Sequence, residues 1–587
     1  MSTDGGPVGG LPGPGGFPGP GGSGVLPGSG GRRPGRVRVR RDLSVRTRCG
    51  LRLKTDHYVA AAAGPAPAVL IRTPYGRGGP IRLFGLTLAR RGWHVLVQSC
   101  RGTFGSDGGF EPFLYERSDG LDTLEWLRRQ PWYDGRLGTF GISYQGFGQW
   151  ATAAHAGSDL RAMVAVVTAA QTRDSTYAGG SFSLDTVLTW AELISAQQVP
   201  WRTRRRELRQ GQPRLAAALA HLPLAEADRV ATGAAVPFFQ EWLDQHRPGA
   251  AYWHPRTFHR EIAQVRAPVS MVTGWHDIFL PAQLADYAAL RAAGRCPRLT
   301  IGPWTHGSPG LFWTAVRQAL SFFATHLAAD RAPGAADPAP DRDTAADPAP
   351  VDGDPDAVPP TAELPAPVRV HVAGAGWREL ADWPPPATPV RWYLWPGGRL
   401  DCEPPPRSGP DRHRYDPADP TPSVGGALLV AQRAGVRDNR ALEARPDVLV
   451  YTGPVLDRPL EVIGPVTAEI FVRSELSHFD VFVRLCRVDR RGRSWNVCDG
   501  LSRVDAGSAA AGDEVSRVSV TLWPTACRLR PGQRLRVQVS GGAHPRWARN
   551  PGTGEALGSA VALRAGWRWI LHDPAYPSAL TLPVTRD

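Results

Sequence analysis

Lysine is almost missing: Lys54 is the only one in 587 residues, so the formal charge of +14 is carried by arginine. A cation set built from one residue type reads as compositional bias, and it gives little ground for a nucleic-acid-binding role. The densest runs, Arg32 to Arg41 beside the N-terminus and Arg202 to Arg209 on a helical face, are read as solvated charge. Long hydrophobic runs are missing too. No window approaches the roughly eighteen apolar residues of a membrane span, and the start, Met1 to Gly6, has neither a basic nor an apolar leader region. No membrane association and no export are expected. Cysteine is sparse and odd in number, seven residues from Cys49 to Cys527 without a CxxC pair, which argues against a disulfide framework and a zinc ribbon. Reduced thiols in a cytoplasmic protein are the expectation.

What is present points to more than one core, because the chain is too long for one ordinary domain. Residues 1–34 are mostly Gly and Pro and read as a disordered tail. A second biased stretch, residues 331–363, repeats Ala, Asp and Pro and reads as a linker. Between them, buried-strand runs such as Ala68 to Ile71, His94 to Val97, Leu137 to Phe140, Met163 to Val167, Val269 to Val272 and Arg298 to Ile301 alternate with helical patterns. A doubly wound α/β domain is expected over 35–181 and 247–330. The alternation breaks at 182–246, where Leu184, Val187, Leu188, Ala191 and Ile194 fall at helical spacing, so a helical cap over the C-terminal strand ends is expected there. Residues 364–587 change texture to short strands with turn signals, beginning with Val368 to Val372, and read as an all-β sandwich.

The chemistry concentrates at Gly141-Ile-Ser-Tyr-Gln-Gly146, a strand, a sharp turn and a helix start with Ser143 at the turn. That is the pattern of a nucleophile elbow, although Gln145 stands where the common GxSxG form has glycine. A serine hydroxyl needs a base, and the base needs a carboxylate to hold its tautomer. Asp277 and His306 each follow a late strand, in the chain order of α/β-hydrolases. His276 is the rival base; as the neighbour of Asp277 its side chain is expected on the other side of the backbone. The oxyanion donors expected are the Tyr144 N–H and the hydroxyl of Tyr75 in Arg72-Thr-Pro-Tyr75, where a merely packed tyrosine is an equal alternative.

With Gln98-Ser-Cys-Arg-Gly-Thr-Phe-Gly-Ser-Asp-Gly108, Gly274-Trp-His-Asp277, Gly302-Pro-Trp-Thr-His306, Tyr415-Asp-Pro-Ala-Asp-Pro-Thr-Pro-Ser-Val-Gly-Gly426 and Cys498-Asp-Gly500 added, the chain resembles the cocaine esterase family. That family also holds X-prolyl dipeptidyl-peptidases and α-amino-acid ester hydrolases. The resemblance implies an α/β-hydrolase core, a helical cap and a C-terminal jelly roll, without metal or organic cofactor. It also implies Ser143, Asp277 and His306 as the triad, with Tyr75 and Tyr144 as the oxyanion hole. Substrate choice carries over poorly: Asp277 is followed by Ile278, Phe279 and Leu280, not by the acidic residues that bind a substrate ammonium. A small-molecule ester with an apolar or aromatic acyl group is therefore expected, with Trp150, Tyr177, Phe279 and Trp304 as candidate pocket walls, although isolated aromatics are more often core. An amide acylase or X-Pro dipeptidyl-peptidase is the alternative, and a carbohydrate-binding jelly-roll protein is the remote one. The oligomeric state is open, a homodimer included.

Overall fold

The computed structural model describes residues 36–61, 64–197, 213–328, 367–505 and 514–585. The expected tail and linker, and the run Arg202 to Arg209, lie outside the described residues. The described part of the other basic run forms an edge strand, β1 (Val37–Arg46), whose arginines are exposed in alternation with half-buried valines.

The strands that follow are buried on both faces, and their sequences are accordingly apolar. After β2 (Arg52–Ala60) come β3 (Ala66–Thr73), α1 (Gly79–Ala89), β4 (His94–Ser99), α2 (Glu116–Arg128), β5 (Tyr133–Ile142), α3 (Tyr144–Ala153) and β6 (Leu160–Val166). β7 (Val269–His276) and β8 (Arg298–Thr305) complete the run; every residue of β4 and β7 is buried. The sheet order is β1-β2-β4-β3-β5-β6-β7-β8, parallel from β4 to β8. Because the core strands run the same way, the residues just beyond β3, β5, β7 and β8 meet along one edge of the sheet. Ligands bind at that edge in such folds.

Between β6 and β7 the chain leaves the sheet for a helical insertion. It carries a short α4 (Arg173–Thr176), α5 (Leu184–Gln197) and the helices Ala227–Thr232 and Pro237–Asp244, then 3-10 turns at Ala251–Arg256 and His259–Gln264. The insertion is longer than the 182–246 expected from helical spacing, because short turns carry no period to read. Leu184, Val187, Leu188 and Ala191 of α5 share one apolar cluster with Phe113, Tyr144 and Phe147, so this insertion lies over the turn that follows β5.

The strand expected at Val368 to Val372 to open the β-sandwich belongs elsewhere, together with the strand that follows it. β9 (Val368–Val372) pairs in parallel with β8, and β10 (Gly376–Leu380) pairs with β9, so they extend the hydrolase sheet. The alternation of buried and partly exposed residues along β9 does not say which sheet it joins. Eleven further strands, β11 (Thr388–Trp395) to β21 (Ala579–Val584), form the C-terminal all-β jelly-roll domain. Its long strand β15 (Leu460–Ser474) buries Val466, Ala468, Ile470 and Val472 at the period of two that a one-sided strand requires. Ile463, Ala526 and Trp383 pack in the same cluster as Trp275, Tyr287 and Val368, so the two domains share part of a core.

Candidate active site

Ser143 sits between β5 and α3 at φ 58°, ψ −124°, a region that side chains other than glycine rarely occupy. Three contacts hold it there. Its N–H donates to the Val166 carbonyl at 2.9 Å, and its carbonyl accepts the Thr168 hydroxyl at 2.8 Å and the Gly146 N–H at 2.9 Å. The flanking glycines are required by contact: a Cβ on Gly141 would lie 2.3 Å from the Gln145 carbonyl carbon, and one on Gly146 would lie 2.4 Å from Thr168 Cγ2. Gln145, the departure from the common motif, has its own task. Its side chain accepts the Ile142 N–H at 3.2 Å and donates to Thr73 Oγ1 at 3.2 Å, lacing the turn to the end of β3.

His306, just past β8, places Nε2 3.1 Å from Ser143 Oγ. Its Nδ1 lies 2.7 Å from Asp277 Oδ2, just past β7. Asp277 is fully buried, and its other oxygen accepts the Phe279 N–H at 2.8 Å, which fixes the carboxylate plane. His276 faces away from this group. Its charged neighbours are Asp499, Arg546 and Arg484 of the all-β domain, and burial pulls its imidazole down to about 4. Asp499 there accepts from Arg484 at 2.8 Å and also pairs with Arg546, a buried cluster at the domain junction.

The Tyr144 N–H stands at the first position of α3, where helix donors have no intrahelical partner. Its ring is anchored by its hydroxyl, which donates to Glu116 Oε1 at 2.9 Å and accepts the Phe113 N–H at 3.0 Å. Glu116 is in turn held by buried Arg72 at 2.8 Å. Tyr75 lines the same pocket as Ser143, and burial pushes its hydroxyl up to about 12, so it keeps its proton near neutral pH.

These groups open on a small pocket with about 60 Å3 of open space, lined by Tyr75, Phe113, Ser143, Trp190, Trp242 and Phe279, together with hydroxyl and aliphatic side chains that include Leu429 of the C-terminal domain. Of the four aromatics expected as walls, Phe279 lines it, its ring 5.7 Å from that of His306. The other three lie elsewhere. Trp150 is in the core with Leu124 and Leu127, and Trp304 packs on Trp377 behind the sheet. Tyr177 is buried among the insertion helices, its hydroxyl donating to the Trp242 carbonyl. Sequence reasoning missed Phe113, Trp190 and Trp242; Trp190 falls on the already recognised amphipathic helix, and its place one step outside the buried stripe was the available signal.

The fold, and the relatives it is shared with, define the class: an α/β-hydrolase enzyme of the serine-hydrolase type. Residues 50–308 match the family model of the X-Pro dipeptidyl-peptidase (S15 family), and residues 361–581 match that of the X-Pro dipeptidyl-peptidase C-terminal non-catalytic domain. The cocaine esterase of Rhodococcus sp. (strain MB1 Bresler) is 30% identical over 592 residues, covering 94% of this chain and 99% of that one. The chain belongs to the cocaine esterase family. Among solved structures, an α-amino acid ester hydrolase superposes with a TM-score of 0.75 at 21% identity, covering 95% of this chain and 98% of that one. An aminopeptidase of a marine sediment archaeon, Thaumarchaeota archaeon, gives 0.74 at 21%, covering 96% and 98%. At such identities these two speak for the fold alone.

Proposed function

We propose that the protein is a carboxylic-ester hydrolase that works through Ser143, His306 and Asp277, on small esters with an apolar or aromatic acyl group. The observation that carries this reading is the hydrogen-bonded line Ser143 Oγ, His306 Nε2, His306 Nδ1, Asp277 Oδ2, with spans of 3.1 and 2.7 Å. Ser143 Oγ attacks the ester carbonyl while His306 Nε2 takes its proton. Asp277 holds the Nδ1 proton and stabilises the imidazolium that forms. The carbonyl oxygen, now negative, is met by the Tyr144 N–H and the Tyr75 hydroxyl. His306 returns its proton to the leaving alcohol, leaving an acyl-enzyme. A water then gives its proton to His306, attacks the acyl carbon and releases the acid with Ser143 reprotonated.

The preference for an ester over an α-amino ester or a peptide rests on the pocket lining. Among the described residues it contains no carboxylate to receive a substrate ammonium, and Ile278 and Phe279 occupy the turn after Asp277. The amide reading is favoured by one observation, the S15 family match over residues 50–308. Rates on p-nitrophenyl butyrate and on an X-Pro p-nitroanilide decide between them. The ester is expected to turn over with a burst of p-nitrophenol equal to the enzyme concentration, and the anilide slowly or not at all. Faster turnover of the anilide would overturn the ester reading.

A further inference from the structure

A phenol hydroxyl has one proton to give and lone pairs that accept, whereas an indole N–H can only donate. The contact between Trp190 Nε1 and the Tyr75 hydroxyl, at 3.1 Å, therefore has a fixed direction: Trp190 donates and Tyr75 accepts. With that acceptor site filled, the Tyr75 proton must go to another group. Tyr75 and Ser143 line one pocket, so the direction left open to that proton is towards the reaction centre. We propose that Trp190 is a positioning residue for the oxyanion: its N–H holds the Tyr75 hydroxyl so that the phenolic proton points at the carbonyl oxygen of the ester attacked by Ser143. The inference rests on the proposed ester hydrolysis with Tyr75 as an oxyanion donor.

The indole is well placed to do this because it is stacked among neighbouring rings. It lies near-parallel to Trp242 (5.9 Å, 4°), Phe113 (5.8 Å, 18°) and Tyr144 (6.1 Å, 19°). Trp242 is not a substitute for it, since its own N–H goes to the Tyr252 hydroxyl at 3.2 Å. A hydroxyl that accepts a hydrogen bond is polarised into a better donor, so Trp190 strengthens as well as aims the Tyr75 proton. No proton leaves Tyr75 in the reaction; the proton that moves is that of Ser143, to His306. The consequence is structural: the oxyanion hole is completed by α5, so a shift of the insertion alters the acylation rate and not only substrate entry.

The test is a double-mutant cycle on the full chain with p-nitrophenyl acetate, reading the acylation rate from the burst and the thermal midpoint of each variant. Tyr75→Phe is expected to slow acylation on the order of a hundredfold. Trp190→Phe is expected to slow it about tenfold with KM little changed, and to add nothing further once Tyr75→Phe is present. A full rate in Tyr75→Phe would remove Tyr75 from the oxyanion hole while leaving the Ser143 reading intact. Equal slowing by Trp190→Phe in both backgrounds, or an effect on KM alone, would leave Trp190 a pocket wall and nothing more, and would overturn the proposal. If Trp190→Phe does not fold, exchanging the Trp190 ring N–H for sulfur with a benzothienyl side chain keeps the shape and removes only the donor; the same outcomes then apply.

Discussion

At the scale of single residues, Asp277 is the most constrained member of the proposed triad. It is fully buried, 2.7 Å from His306 Nδ1, and takes the Phe279 N–H on its second oxygen. Asp277→Asn keeps the shape but presents an amide where the imidazole needs an acceptor, so the wrong tautomer faces Ser143. A fall in kcat of about 10⁴-fold is expected, with an unchanged thermal midpoint. Loss below tenfold in steady-state kinetics would show that another group orients the base. That Ser143, Asp277 and His306 come together was legible because chain order and strand-end position are linear features. The pocket walls were not. Whether a tryptophan faces the sheet or the site depends on packing between elements, and Trp150 and Trp304 face the sheet.

Among the elements, the turn from β5 to α3 carries the tightest constraints. Gly141 faces backbone atoms of Gln145, which cannot move aside without shifting the first turn of α3 and with it the Tyr144 N–H. Gly141→Ala is therefore expected to destabilise the protein by roughly 1–3 kcal/mol and to lower kcat more than KM, as checked by urea unfolding and steady-state kinetics. An alanine variant of native stability and rate would mean that the turn is looser than its geometry indicates. The helical insertion was legible through the period of α5, yet its full extent was not, because 3-10 turns such as Ala251–Arg256 leave no periodic trace.

For the whole molecule, the two domains share part of a core, with β9 and β10 completing the hydrolase sheet and Leu429 lining the pocket beside Ser143. The sequence could not show this, since a strand's partner is decided by long-range packing. Both domains also hold buried neutral histidines. Burial lowers His57 and His276 to about 4, and His413 and His544 to about 3. An unfolded histidine titrates near about 6.5, so between these values the unfolded chain binds more protons than the folded one, and stability rises with pH. The contribution is complete above about 6.5 and is lost as the pH falls towards 4 and then 3. His94 and His326, also lowered by burial, add to this trend, while Asp185 and Asp286, raised by burial, and His259, raised by its hydrogen bond to Asp286, oppose it and are fewer. Differential scanning calorimetry should give a lower midpoint at about pH 5 than at about pH 7.5; the reverse order would contradict this burial pattern.

The central claim is that Ser143 is the nucleophile, and labelling with a fluorophosphonate, followed by mass spectrometry of intact and digested protein, tests it most directly. One adduct per chain, located on Ser143 and absent from folded Ser143→Ala, is the result the account predicts. An adduct on another residue, or ester turnover that survives in Ser143→Ala, would contradict it.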